Sequence, residues 1–203
     1  MKAIRGFFRL ALVLFASAGI GAAHAPASAQ DGEAAVFIIE LGDSALQMLA
    51  NSELTDEERT DEFRRILLKG FDLPLIGRYA LGRHWRRATE GERDEFNSLF
   101  ESFIVESYAT RLGRYGGETF KVTGERNGGG RDSVVRSEIQ IPAGPRVRVD
   151  WRVRSRKGTL KVVDVVVEGV SMLITQRDEF SSVIQRSGGQ VEGLLASLRQ
   201  RVR

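Results

Sequence analysis

Few residues in this chain are of the types that do chemistry, and their spacing limits what each can do. There is no cysteine, and of the two histidines His24 lies in a leader-like segment, which leaves His84 for the rest of the chain. A zinc site of imidazole and thiolate ligands has nothing to draw on. A nucleophile–base pair would have to use His84, whose neighbours Arg83, Arg86 and Arg87 disfavour the imidazolium and suit a base. The same residue beside Trp85, at a helix junction, reads as a packing or hydrogen-bonding histidine. Asp56, Glu57, Glu58 and Asp61 read as a helix N-terminus that favours negative charge, not as an acid–base pair.

Two further stretches have the composition of sites without their context. Gly42-Asp43-Ser44 followed by Leu46 resembles the nucleophile segment of small lipid hydrolases. It lies within a helical pattern, however, and no Asp-x-x-His follows late in the chain to complete a triad. Gly128-Gly129-Gly130 has the glycines of a phosphate cradle, yet it joins two strands and opens no helix, so it reads as a hairpin loop. Neither a catalytic set nor a cofactor site is expected, and the chain is read as a non-enzyme.

What the sequence has in excess is bulky apolar surface. Val147, Val149, Trp151 and Val153 share one phase of a strand whose other phase is Arg146, Arg148, Asp150, Arg152 and Arg154. After a turn at Arg156-Lys157-Gly158, Leu160 to Glu168 returns as a strand apolar on nearly both faces, with Val163, Val165 and Val167 opposing Val162, Asp164 and Val166. Phe96, Leu99, Phe100, Phe103, Ile104 and Tyr108 form an aromatic stripe at helical spacing. Such faces ordinarily close on one another as a core.

The elements that position these faces are legible in order. Val36 to Leu49 predicts a helix interrupted near Gly42. Thr55-Asp56-Glu57-Glu58 and Thr89-Glu90-Gly91-Glu92 read as capping boxes opening two more helices. Between them Phe71 to Leu81 is an apolar connector with a short helix after Pro74, and Gly82-Arg83-His84-Trp85 is a turn. From Glu118 the period changes to two, and turns at 127–131, 142–145 and 156–158 cut out a four-stranded antiparallel meander. Helices return over Ser171 to Arg186 and Val191 to Arg203. The reading is a single α+β domain with helices packed on one face of the sheet: a helical part at about 33–115, the sheet at about 118–168 and C-terminal helices at about 171–203.

Two blocks carry a family resemblance. Val163-Asp164-Val165-Val166-Val167-Glu168-Gly169-Val170-Ser171 with Arg177-Asp178-Glu179-Phe180 is the first. The second is Phe71-Asp72-Leu73, Ala80-Leu81-Gly82-Arg83-His84-Trp85, Arg93-Asp94-Glu95-Phe96 and Phe100. Together they span about Leu41 to Leu198 and resemble the MlaC, or toluene-tolerance, family of periplasmic phospholipid carriers. The resemblance implies that sheet and helices enclose an elongated apolar pocket for acyl chains, with the head group near water. The lining it suggests is Leu75, Ile76, Tyr79, Phe96, Phe100, Phe103, Ile104, Ile139, Val147, Val149, Trp151, Val153, Val163, Val165 and Val167. It also implies docking to an inner-membrane ABC transporter complex and an outer-membrane lipoprotein complex, in the service of outer-membrane lipid asymmetry. A hopanoid-associated branch shares the signature, and a non-lipid-binding adaptor of the transporter is a further alternative.

Address and charge agree with export. Lys2, Arg5 and Arg9, an apolar run from Leu10 to Ala16, and Ala-x-Ala sites at 23–25 and 27–29 read as a secretory signal peptide, residues 1–29. The second site is preferred, because a cut after Ala25 would use the bond to Pro26. Roughly 175 residues then remain, enough for a core that needs no disulfide. The formal net charge of +3 resides in the leader: without its three cations, 27 Lys and Arg face 27 Asp and Glu. A phosphate-backbone binder is not expected, so no nucleic acid is a partner. The protein is expected to be a periplasmic monomer.

Overall fold

In the computed structural model, residues 32–112 and 115–202 are described; the expected leader and Arg203 lie outside the described residues. The capping boxes form as the sequence predicts. Helix α1 runs from Glu33 to Ala50, and α2, from Asp56 to Gly70, opens where Thr55 Oγ1 accepts the Glu58 N–H at 3.2 Å and the Glu58 carboxylate accepts the Thr55 N–H at 2.9 Å. Asp72 caps α3, Leu73–Leu81, with Pro74 in its first turn. The expected turn after it is a 3-10 helix, Gly82–Arg86. Thr89 and Glu92 then repeat the reciprocal cap at the start of α4, Glu90–Leu112. Each cap stabilises its helix by about 1 kcal/mol.

Helix α1 is continuous, which corrects the expected interruption near Gly42. A Cβ there would stand 2.6 Å from the Phe120 ring. The glycine lets the ring approach the helix backbone and does not break the helix. The N-terminus of α1 is satisfied from across the fold, where the Glu125 carboxylate accepts the Ala35 N–H at 2.9 Å.

The sheet contains β1, Thr119–Gly129; β2, Asp132–Gln140; β3, Arg146–Arg156; β4, Thr159–Val167; and β5, Val170–Ser171, in that spatial order and antiparallel throughout. The short fifth strand is one more than the meander expected. It arises because Glu168 and Gly169 both take positive φ, 48° and 82°, which folds the end of β4 back as a two-residue hairpin. Lys157 and Gly158, at 51° and 77°, do the same between β3 and β4. Helices α5, Met172–Arg186, and α6, Val191–Arg199, complete the α+β fold.

Register places the apolar phase on one face. Val147 lies opposite Ile139, Val149 between Ser137 and Val167, and Trp151 between Val135 and Val165. Strict alternation fails once. Arg152 faces Asp164 but Val153 faces Val162, so Val163 is an extra residue in β4, and both Val162 and Val163 are buried. The opposite face is a lattice of ion pairs: Arg136–Asp150, Arg146–Glu138, and Arg152 and Arg154 on Asp132, at 2.6 to 3.2 Å. Asp132 is almost fully buried, and the guanidinium of Arg154 first, then that of Arg152, holds its carboxyl below the ordinary range against the opposing effect of burial.

Candidate functional site

Among the described residues apolar packing forms two cores, a seam between them, and a small cluster of Met48 and Ile66 where α1 meets α2. In the helical core Phe96 stacks on Phe100 at 5.6 Å, and Phe180 of α5 meets Phe96, Phe100 and Phe103 at 5.8 to 6.1 Å. Ala80, Leu81, Ile184, Leu194, Leu195 and Leu198 close around them. In the sheet core Ala34, Ala35 and Ile38 of α1 cover Val135, Val153 and Val162, with Phe71, Phe120, Trp151 and Val165 at the margin. Leu67, Leu73 and Val105 form the seam. It shares Phe71 with the sheet core, and Ile76 and Ile104 with the helical core.

Covering of the sheet is uneven. Helix α4 makes its main contacts with α2, α3 and α6, while α1, α2, α3 and α5 reach the strands. Among the described residues, the packed cluster beneath α1 extends to Trp151 and Val165. Ile139, Val147, Val149 and Val167 continue the same apolar face beyond it. Val149 is buried, whereas Ile139, Val147 and Val167 are half-buried.

A polar relay lies where the packed cluster under α1 ends. The Trp151 indole N–H donates to Ser137 Oγ at 2.9 Å, and Ser137 in turn donates to the Val149 carbonyl at 3.1 Å. Ser137 is wholly buried, so each group in the relay satisfies another that water cannot reach. Phe71 and Phe120 hold the ring edge-on, with centroids at 6.5 and 6.1 Å. Ser137, Phe71 and Phe120 are absent from the lining suggested by sequence. The phase Val135-x-Ser137-x-Ile139 was the available signal for the first.

The suggested lining residues thus fall into separate places. Phe96, Phe100 and Phe103 sit in the helical core, and Ile76 and Ile104 border the seam. Val153, Trp151 and Val165 belong to the sheet core, and Val163 is the bulge residue. Ile139, Val147 and Val149 lie on the face beyond the packed cluster under α1, Val149 buried and the other two half-buried. Leu75 is half-buried on α3. Tyr79 is 46% exposed, and its hydroxyl interacts with Arg154 of the charged face, secondarily to Asp132, in favouring the guanidinium's charged form.

His84 is buried between the 3-10 helix and α5. Its Nε2 accepts from Arg83 Nε at 3.4 Å and lies 3.3 Å from Ser181 Oγ, while Nδ1 is buried without a protein partner. Desolvation first, then Arg83 and Arg87, push its pKa down, so the neutral ring is favoured. A serine and a histidine are therefore adjacent, but among the described residues no carboxylate orients the ring. Among the described residues there is no cluster of three His, Cys, Asp or Glu able to hold a metal, and no helix is long and apolar enough to cross a membrane.

Comparison with known proteins gives this arrangement a family. Over 141 residues the chain is 25% identical to the intermembrane phospholipid transport system binding protein MlaC of Haemophilus influenzae, an alignment covering 68% of this chain and 65% of that relative. The chain thus spans just under two thirds of that relative's length. A solved phospholipid-binding protein of Ralstonia solanacearum, in complex with a phospholipid, shares the fold with a TM-score of 0.73 at 24% identity, over 82% of this chain and 95% of that one. The model of the family described as MlaC protein matches residues 40–200, which is most of the chain and includes the seam, the buried helical core and the strands of the sheet core, so the chain belongs to the MlaC family.

Proposed function

We propose that this protein is a periplasmic lipid carrier that shields phospholipid acyl chains and moves the lipid between an outer-membrane lipoprotein complex and an inner-membrane ABC transporter complex, thereby maintaining outer-membrane lipid asymmetry. The observation that carries the reading is an apolar sheet face, Ile139, Val147, Val149 and Val167, that continues past the cover of α1 in an MlaC-family chain. The acyl chains lie along this face and the seam bordered by Ile76 and Ile104, and the head group stays near water. Burying a methylene is worth about 0.8 kcal/mol, so a chain of about sixteen carbons gains on the order of 12 kcal/mol before ordering costs. Non-directional contact of that size holds a lipid without a charged clamp, which suits a site where the buried Ser137 hydroxyl and the Trp151 indole already satisfy each other. The protein works as a monomer, released from its leader, and no residue performs a bond-breaking step.

Native mass spectrometry of the exported protein, followed by lipid extraction, tests this. The expected result is a population carrying phospholipid at a fixed stoichiometry. A hopanoid in the extract would move the cargo to another lipid class, and protein that remains lipid-free after incubation with phospholipid would remove the carrier reading. N-terminal sequencing should find the chain starting at Gln30; Met1 retained in a membrane fraction would contradict free periplasmic release.

A further inference from the structure

The surface formed by α3, the 3-10 helix and the first half of α5 combines two features that the proposed pocket does not use. Val170 in β5 and Ile174 in the first turn of α5 are 52% and 50% exposed, and Tyr79 on α3 is 46% exposed. Arg78, Arg83, Arg86, Arg87 and Arg177 are all exposed on the same three elements. Helix α3 packs along α5, and the Arg177 side chain runs beside Gly82, so the elements form one continuous surface. The nearby acids have assigned partners: Asp178 is paired with Arg177 at 3.1 Å, Glu179 accepts from Gln176 Nε2 at 3.4 Å, and Asp164 is engaged by Ser171 Oγ and the Leu173 N–H. Arg78, Arg86 and Arg87 have no ion-pair partner among the described residues.

Charge is distributed unevenly over the chain. Residues 33–62 carry nine acids, Glu33, Glu40, Asp43, Glu53, Asp56, Glu57, Glu58, Asp61 and Glu62, against the single cation Arg59. An anionic surface repels the α1–α2 segment and attracts the cations elsewhere in the chain, the arginines of the α3–α5 face among them.

We propose that the α3–α5 face docks on an anionic phospholipid bilayer. Guanidinium groups pair bidentately with phosphates, and exposed aliphatic side chains enter the head-group layer. The apolar residues offered, Val170 on the β4–β5 hairpin and Ile174 on α5, are aliphatic and exposed, which suits insertion among head groups; valine is under-represented at protein hot spots. This attachment is separate from acyl-chain burial, so the lipid content of the protein and its vesicle binding can fail independently.

The experiment is sedimentation of the mature chain with phosphatidylcholine vesicles, with and without phosphatidylglycerol. Binding is expected only with phosphatidylglycerol, and it should weaken steeply with added salt. Arg78→Gln/Arg86→Gln/Arg87→Gln should reduce it at least about tenfold and Ile174→Ser several-fold, with co-purified lipid unchanged. Arg126→Gln/Arg131→Gln, on the β1–β2 hairpin, should have little effect. If the triple variant does not fold, as judged by circular dichroism, Arg86→Gln alone is measured across the same salt series. Absence of vesicle binding, or equal loss in the hairpin variant, would overturn the proposal. So would binding to polyglutamate as tight as to the vesicles with Ile174→Ser silent, since that pattern indicates an acidic protein surface.

Discussion

The helical core and the inner face of the sheet are built from equally apolar sequence, yet they end differently. Phe96, Phe100 and Phe103 find Phe180, and the helices α3, α5 and α6 surround all four rings. Val153 finds Ile38 beneath α1, but Val147, six residues earlier on the same face, lies beyond the packed cluster. Apolar phase alone therefore identifies which side of an element turns inward. Whether that side meets protein or leaves room for a ligand depends on how far the covering helix reaches.

The strongest way to test the closed half of this comparison is Phe180→Ala. Four rings share one cluster, so the truncation leaves a cavity that the neighbouring helices cannot fill, and a loss of about 3–5 kcal/mol is expected. Denaturant unfolding of delipidated protein would measure it. A loss below about 1 kcal/mol would mean that this core is loosely packed and is itself a candidate for lipid.

Next in size is a pair of enlargements on the sheet. Val153→Trp places a large ring against Ala34, Ala35 and Ile38 and should overpack by roughly 1–3 kcal/mol. Val147→Trp extends into the uncovered end, where the expected result is a nearly unchanged midpoint and reduced bound lipid. Both readouts are taken on the same preparations, with stability measured after delipidation, because bound ligand raises the apparent midpoint. Equal destabilisation by the two variants would erase the distinction between covered and uncovered sheet.

The Ser137 relay marks the border, and its loss should have an intermediate to small effect. Ser137→Ala leaves the Trp151 indole N–H buried without an acceptor, at a cost of about 1–2 kcal/mol. Because Trp151 then has no fixed edge, its fluorescence should also shift. An unchanged spectrum and midpoint would show that the indole does not depend on this hydroxyl.

Local signals in the sequence were sufficient for the elements. The Thr55 and Thr89 caps, the strand phase of Val147 to Val153, and the two-residue turn at Lys157-Gly158 each act over a few residues, and each forms as expected. Features decided by long-range contact were not legible. Gly42 reads as a helix break until Phe120, distant in the chain, is seen to press on it. The bulge at Val163 is invisible in a run of valines that satisfies either phase, and Phe71 pairs in parallel with Val162 from the far side of the helical segment. The aromatic stripe could have faced the sheet; Phe180, in a helix after the sheet, closes it instead.

The smallest expected effect concerns the one titratable ring in the closed core. His84 is buried, and its pKa is lowered mainly by desolvation, so the unfolded chain binds a proton more readily than the folded one. A group with a depressed folded pKa contributes stability that is fully present above its unfolded value, near 6.5, and is lost as pH falls below that toward the folded value. His84 should therefore weaken the helical core between neutral pH and about pH 5, opposed by Glu179 on α5, whose pKa burial raises so that its protonation favours the fold as pH falls, while the sheet core, which contains no histidine, does not sense His84. Charging would also set His84 against Arg83 and Arg87, in the same direction. His84→Gln fills similar space and cannot take up the proton, so its stability should be flat over this interval where the native chain slopes. Hydrogen exchange at α5 amides, compared with β3 amides at pH 7 and pH 5, would locate the change. Identical slopes for the native chain and the variant would show that His84 titrates as it does in the unfolded chain, and the pH dependence of the closed core would then have to come from Glu179.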